Sequence, residues 1–115
     1  MKISKKQFNV FKKEVLRLIK LYGLSGWEVA FHQENLTDAY GEIATDARTR
    51  CVCFFFPTII DDKLMNRFNP LQTAQHEVFH LLLAPLSDLA EQRYIVYEQI
   101  YTVEEDIVNK LIAII

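Results

Sequence analysis

Apolar residues recur at steps of three and four along the N-terminal segment, which is the spacing of one helix face. The stripe consists of Phe8, Phe11, Val15, Leu18 and Tyr22. Ser4, with Gln7 three residues later, has the form of a capping box, and Gly23 follows the stripe. The pattern predicts an amphipathic helix over residues 5–22.

The next segment changes to alternation, the period of a half-buried strand. Trp27, Val29 and Phe31 alternate with Glu28, Ala30 and His32. Residues 38–57 read as two further strands around a turn near 46–49, the second nearly all apolar and ended by Pro57. Because the links are too short for helical crossovers, we expect a small, mostly antiparallel sheet of three or so strands.

The second half of the chain is helical again. Asn69 is a plausible N-cap and Pro70 suits a first helical position, so a helix is predicted from there to Ala84, where Pro85 should end it. From Asp88 or Glu91 to residue 115 there is no Gly or Pro, and a long C-terminal helix is expected, with a break near Tyr94 allowed. The predicted class is α+β, in a single domain over residues 1–115.

Composition narrows the range of partners. The chain has 115 residues, half of them hydrophobic, which suits one compact domain. A net charge of -2 leaves no basic surplus for a phosphate backbone, so no nucleic-acid partner is expected. No apolar stretch approaches the roughly 18 residues of a membrane span, and no signal-peptide pattern is present. We therefore expect a cytoplasmic protein without a membrane partner; the oligomeric state cannot be inferred.

The stretch His-Glu-Val-Phe-His, residues 76–80, is the part of the sequence that indicates chemistry. On a helix, residues four apart share a face, so His76 and His80 present two imidazoles suited to adjacent ligand positions of Zn²⁺. Glu77 is rotated by about 100° from His76, which places it to act as the general base toward a water that the metal activates. The pattern predicts a zinc-dependent hydrolase, most simply a peptidase acting on a peptide or protein substrate.

A third protein ligand is expected in a catalytic zinc site. No histidine follows His80, and an extended metzincin motif is absent because positions 83 and 86 are leucines. A carboxylate of the last helix is the natural source. Helical phase puts Glu104 near the centre of an apolar arc and Glu105 at its edge, which favours Glu104 as the third ligand. The arc consists of Tyr97, Ile100, Tyr101, Ile107, Val108, Leu111 and Ile115.

Other groups are weaker candidates. Cys51 or Cys53 could supply a thiolate ligand, or both could join the histidines in a structural zinc site. The simpler interpretation is that both cysteines are small hydrophobic residues on a buried strand. His32 falls on the polar face of its strand and is expected at the surface. Tyr94, Tyr97 or Tyr101 could stabilise an oxyanion, and the apolar third strand could pair with a substrate peptide if it is an edge strand.

The segment HEVFHLLLAP, followed after a short loop by a helix containing EEDIVNKL, resembles the minimal gluzincins. It is also similar to short phage-type metallopeptidase-like proteins. The resemblance implies that His76 and His80 bind the metal, that Glu77 is the base, and that Glu104 or Glu105 is the third ligand. Asn109 lies four residues after Glu105 and Asp106 two after Glu104, so the resemblance does not choose between them. The alternative to an enzyme is a non-catalytic, zinc-stabilised adaptor or regulatory domain.

Overall fold

The structure, a computed structural model, describes residues 1–36, 39–92 and 94–114. Helix α1 spans Lys5–Leu21, close to the predicted bounds. Its capping box forms: the Ser4 amide donates to Gln7 Oε1 at 2.8 Å and the Gln7 amide donates to Ser4 Oγ at 3.1 Å. Phe11, Val15 and Leu18 of the predicted stripe are buried, so α1 lies on the sheet through the face that its sequence pattern indicates.

Three strands form one mixed sheet in the order β1-β3-β2. They are β1 (Glu28–Glu34), β2 (Glu42–Asp46) and β3 (Cys51–Pro57). β2 and β3 form the expected antiparallel hairpin, whereas β1 pairs with β3 in parallel. The end of β1 and the start of β2 are two strand spacings apart, about 10 Å, a span for which no helix is needed. β3 is therefore the central strand, and β1 and β2 are the edges.

Helix α2 spans Pro70–Ala90 and begins as predicted, with the Asn69 side chain accepting hydrogen bonds from the amides of Leu71 and Gln72. The predicted end at Ala84 is wrong, because the helix continues through Pro85 for one and a half turns. A proline inside a helix costs about 3 kcal/mol. Because α2 continues past Pro85, Leu89 lies beside Thr102 and Val103 of the next helix and is only 7% exposed. Burial of this leucine offsets much of the cost of the proline.

Helix α3 spans Tyr97–Ile112, after a break at the predicted place. Its apolar arc does not face the core as the sequence predicts. Val103 and Ile107 join the core, but most of the predicted arc is exposed, Tyr97 to the extent of 73%. At 100° per residue Glu104 is turned away from Val103 and lies exposed, while Glu105 is half-buried. The last member of the arc, Ile115, lies outside the described residues.

The core lies between the helices and the inner face of the sheet. Phe11 of α1 stacks on Phe56 of β3 with ring centroids 4.5 Å apart, and Val78 and Leu81 of α2 are fully buried in the same cluster. The α+β class is thus confirmed. Within the described ranges, no helix combines the length and the apolar character that crossing a membrane requires.

Candidate metal centre

His76 and His80 project from adjacent turns of α2 and come together at their ring tips. Their Nε2 atoms are 3.1 Å apart, and the rings are steeply inclined at 76°. Two imidazole nitrogens that bind one tetrahedral Zn²⁺ at about 2.0 Å lie about 3.3 Å apart. The same spacing also suits an N–H···N hydrogen bond, with the donor set by the tautomers. Both side chains are exposed, so the pair has the chemistry and the spacing of two zinc ligands.

Glu77 follows His76 but points to a different environment. The residue is only 5% exposed, and its carboxylate makes no hydrogen bond or ion pair with the residues that the structure describes. Burial raises the pKa of Glu77; interaction with His76 and His80 opposes this shift, and the nearby Glu42 carboxylate adds to it. No side-chain oxygen of the described residues is both buried and without a partner, so the Glu77 oxygens keep contact with solvent in the clefts that this residue lines. A largely buried carboxyl group with a raised pKa beside two histidines favours a functional position.

Two clefts open on either side of His76 and Glu77, and Gly41 also lines both. The first, of about 400 Å³, lies between Tyr40, Arg67 and the first turns of α2. The second, of about 520 Å³, lies between β2 and the C-terminal half of α2 and includes His80. Gly41, His76 and Glu77 are the residues that the two clefts share, so the candidate base is accessible from both of them.

Gly41 permits β2 to approach α2 this closely. A Cβ atom at this position would lie 2.8 Å from Thr73 Cγ2, 3.3 Å from the Phe55 carbonyl oxygen and 3.4 Å from Glu77 Cγ. Any larger residue would push β2 away from the helix or displace the Glu77 side chain. Gly41 is therefore a positioning element of the site that the sequence patterns do not reveal.

The predicted third ligand is not brought to the histidines. Across residues 1–36, 39–92 and 94–114, no three His, Cys, Asp or Glu side chains converge to hold a metal ion. Neither Glu104 nor Glu105 is among the residues lining the two clefts. Glu42, Asp88 and Glu91 line the second cleft together with both histidines and Glu77, and Glu42 is the one of the three close enough to raise the pKa of Glu77. The third ligand thus stays a prediction, with Glu42 as a further candidate.

The remaining sequence candidates lie away from the histidine pair. Cys51 and Cys53 are free thiols on the outer face of β3, half-buried rather than buried. Cys51 Sγ lies 3.7 Å from the Glu28 carboxylate, and burial raises the pKa of the Cys53 thiol, with the Glu34 charge adding to the shift. His32 is exposed on the same sheet face, as expected, with its ring against Phe55.

The tyrosines singled out by sequence do not line either cleft. Tyr97 and Tyr101 stack on each other at the surface of α3, 6.2 Å apart. Tyr40, which the sequence patterns did not single out, does line the first cleft, and its hydroxyl donates to the Leu64 carbonyl at 3.3 Å. The hydrophobic pattern gives no signal for it because Tyr40 lies in the loop before β2, where side-chain direction depends on tertiary packing.

Comparisons of the chain with family models, curated proteins and solved structures gave no match.

Proposed function

We propose that this protein is a small zinc-dependent hydrolase, and specifically a peptidase, in which His76 and His80 hold the metal and Glu77 is the general base. One observation carries the proposal: two imidazole nitrogens lie 3.1 Å apart on the same helix as Glu77, which is only 5% exposed and lines the same two clefts as His76. Burial raises the pKa of Glu77, and a perturbed carboxyl group beside a metal-binding pair favours a catalytic role.

The three side chains divide the work of hydrolysis. A Zn²⁺ ion, when bound, would polarise the scissile carbonyl and lower the pKa of a water molecule. Glu77 would take a proton from a water molecule as the water oxygen adds to the carbonyl carbon, and would deliver that proton to the amine nitrogen as the C–N bond breaks. The raised pKa of Glu77 suits this exchange, because a carboxyl group that titrates closer to neutrality both accepts and releases a proton readily.

The peptide substrate is supported by the position of β2. One edge of β2 is paired with β3, and its other edge runs beside the second cleft, where Glu42, Ile43 and Thr45 line the wall. An extended peptide can add to such an edge as a further strand, with backbone hydrogen bonds that do not depend on sequence. The sequence analysis considered β3 as the strand that pairs with a substrate peptide. Because β3 is the central strand, β2 is the strand proposed for this pairing.

The third ligand is to be identified by metal affinity. Helical phase favours Glu104, the family resemblance allows Glu104 or Glu105, and Glu42 lines the second cleft itself. Each residue is replaced by alanine and the zinc Kd is measured by competition with a chromophoric chelator. The ligand is the residue whose loss weakens binding most, by about tenfold or more.

The test of catalysis is hydrolysis of a broad peptide library by wild type and Glu77→Gln, with zinc content measured on both. We expect equal zinc content and a fall of about 10²- to 10⁴-fold in kcat for the variant. Glu34→Gln, an exposed carboxylate on the outer sheet face, is the matched control and should cleave like wild type. Equal activity of wild type and Glu77→Gln would overturn the role of Glu77.

A zinc-stabilised adaptor is the second candidate, favoured by the exposed apolar residues of α3. Tyr97, Tyr101 and Ile112 are all more than half exposed, which is unusual for a helix without a partner. If wild type and Glu77→Gln both bind one zinc ion and neither cleaves any peptide, the adaptor function replaces the hydrolase.

A cytoplasmic location belongs to the proposal as well, since the free thiols of Cys51 and Cys53 suit a reducing compartment.

A further inference from the structure

The two clefts beside the candidate metal centre are lined by side chains of opposite charge. We propose that they select a charge-polarised peptide, which carries a carboxylate on the side of the first cleft and a cationic side chain on the side of the second. The inference rests on the proposed function in taking the peptide as the substrate. It goes further by naming which peptides bind.

Arg67 forms the positive end. It lines the first cleft beside Asn69 and Tyr40, and its guanidinium makes no ion pair or hydrogen bond with the described part of the chain. The other ionisable groups in that cleft are His76 and Glu77, which belong to the candidate metal centre. A free guanidinium at the wall of a cleft is suited to bind a carboxylate through two parallel hydrogen bonds. The carboxylate can belong to an acidic side chain or to the end of a peptide.

Three carboxylates form the negative end. Glu42, Asp88 and Glu91 line the second cleft together with Ser87 and Ala84, and no lysine or arginine lines it. None of the three pairs with a cation among the residues described. Their summed field favours a lysine or arginine side chain of a bound peptide.

The charges at the C-terminal end of α2 oppose what a helix normally prefers. The N-terminal end of a helix dipole is positive and the C-terminal end negative, so acidic residues stabilise the start and basic residues the end. α2 has no acidic residue in its first turn and no basic residue in its last. Instead Asp88 and Glu91 lie at its end, where the helix dipole disfavours carboxylates. These two charges therefore do not serve the stability of α2, which leaves them for a bound cationic group.

Glu77 connects the two ends. It is buried and without a hydrogen-bond partner in the described residues, and it lines both clefts, so the reacting position lies between the positive and the negative end. A peptide bound through both ends would place a central bond over Glu77. The charge pattern would then select the substrate and also set its position along the cleft.

The test is binding of three octapeptides, labelled with fluorescein at the N-terminus and amidated at the C-terminus, with the sequences KKAAAAEE, EEAAAAKK and QQAAAAQQ. Kd is measured by fluorescence anisotropy on the wild-type protein with added zinc, and cleavage is followed on the same samples by mass spectrometry. We expect one of the two charged orders to bind about tenfold tighter than the other charged order and the neutral peptide. A neutral peptide with a free C-terminal carboxylate shows whether a chain end satisfies Arg67 as well as a side chain does.

Variants separate the two ends of the cleft. Arg67→Gln should remove most of the preference for the acidic end, and Asp88→Asn with Glu91→Gln most of the preference for the basic end. Arg48→Gln and Glu34→Gln, exposed residues that line neither cleft, should bind like wild type. Equal affinity for the three peptides, or a preference that survives in both cleft variants, overturns the proposal. If the protein prefers one charged peptide but cleaves none, the charge selection is supported and the hydrolase function is not. If it cleaves the peptides without preferring one, the hydrolase function is supported and the charge selection is not.

Discussion

Helices α2 and α3 each carry a glutamate within an apolar stretch, and the fold treats the two glutamates oppositely. Glu77 of α2 is 5% exposed, whereas Glu104 of α3 is exposed. α2 packs against α1, β2 and α3, while the main contacts of α3 are with α2 alone. The apolar pattern of a helix therefore predicts which side chains can be buried, and the number of neighbouring elements determines how many of them are buried.

The difference also separates two kinds of acidic residue. A carboxylate at the surface of α3 keeps its hydration and costs little. Glu77 is largely buried, but it lines the two clefts, and no side-chain oxygen of the described residues is both buried and without a partner. Its raised pKa and its position beside His76 and His80 distinguish the candidate catalytic glutamate from Glu104.

The largest difference between the helices should appear in stability. Leu81 of α2 is fully buried and Leu111 of α3 is 42% exposed. Leu81→Ala should lower the free energy of unfolding by about 2–5 kcal/mol, and Leu111→Ala by only about 0.5 kcal/mol. Urea denaturation of the metal-free proteins measures both. Similar losses would mean that α3 is packed as firmly as α2, contrary to the account above.

A smaller effect is expected at Gly41, where β2 meets α2. Gly41→Ala places a Cβ atom 2.8 Å from Thr73 Cγ2, and overpacking of this kind costs about 1–3 kcal/mol. Gly26→Ala is the control, because no atom lies within 4 Å of its new Cβ. Adding Thr73→Ser, which removes Cγ2, should recover part of the loss in Gly41→Ala. No recovery would show that the Phe55 backbone, and not Thr73, limits the approach.

The smallest effect concerns the two glutamates themselves. In the metal-free protein at neutral pH, Glu77→Gln should raise the free energy of unfolding by about 1 kcal/mol, because it removes a buried charge. Glu104→Gln should leave it unchanged. Urea titrations at several pH values measure both. Stabilisation of the two variants by the same amount would contradict the burial difference.

The pH dependence of the Glu77 effect has a definite sign. Burial raises the pKa of Glu77, so the native state binds this proton more tightly than the unfolded chain does. Wild-type stability therefore falls as the pH rises from the ordinary glutamate pKa through the raised one. Glu77→Gln does not lose stability in this way. The difference in free energy of unfolding between Glu77→Gln and wild type should therefore be absent at low pH and complete above the raised pKa.

Much of the fold follows from local sequence signals. The Ser4 and Gln7 cap, the Asn69 cap and the alternation of β1 all depend on neighbours within a few residues, and each forms as predicted. The position at which α2 ends does not follow from the local sequence, because burial of Leu89 against α3 outweighs the local effect of Pro85. The parallel pairing of β1 with β3 depends on strand order, which short links alone do not determine.

The candidate site divides in the same way. His76, Glu77 and His80 are adjacent on one helix, so their arrangement follows from helix geometry. Gly41, Tyr40 and Arg67 reach the site from separate segments, and sequence spacing contains no information about that approach. Glu104 was chosen on the assumption that the apolar arc of α3 faces the core. That assumption fails because α3 has too few neighbours to cover the arc.

Zinc affinity of the three single histidine variants tests whether His76 and His80 hold a metal ion. His76→Ala and His80→Ala each remove one of the two imidazoles that lie 3.1 Å apart, whereas His32→Ala removes the exposed histidine of the outer sheet face. We predict one zinc ion per chain in wild type and in His32→Ala, and a loss of affinity of about 100-fold or more in the other two. Undiminished zinc binding by His76→Ala and His80→Ala would contradict the account.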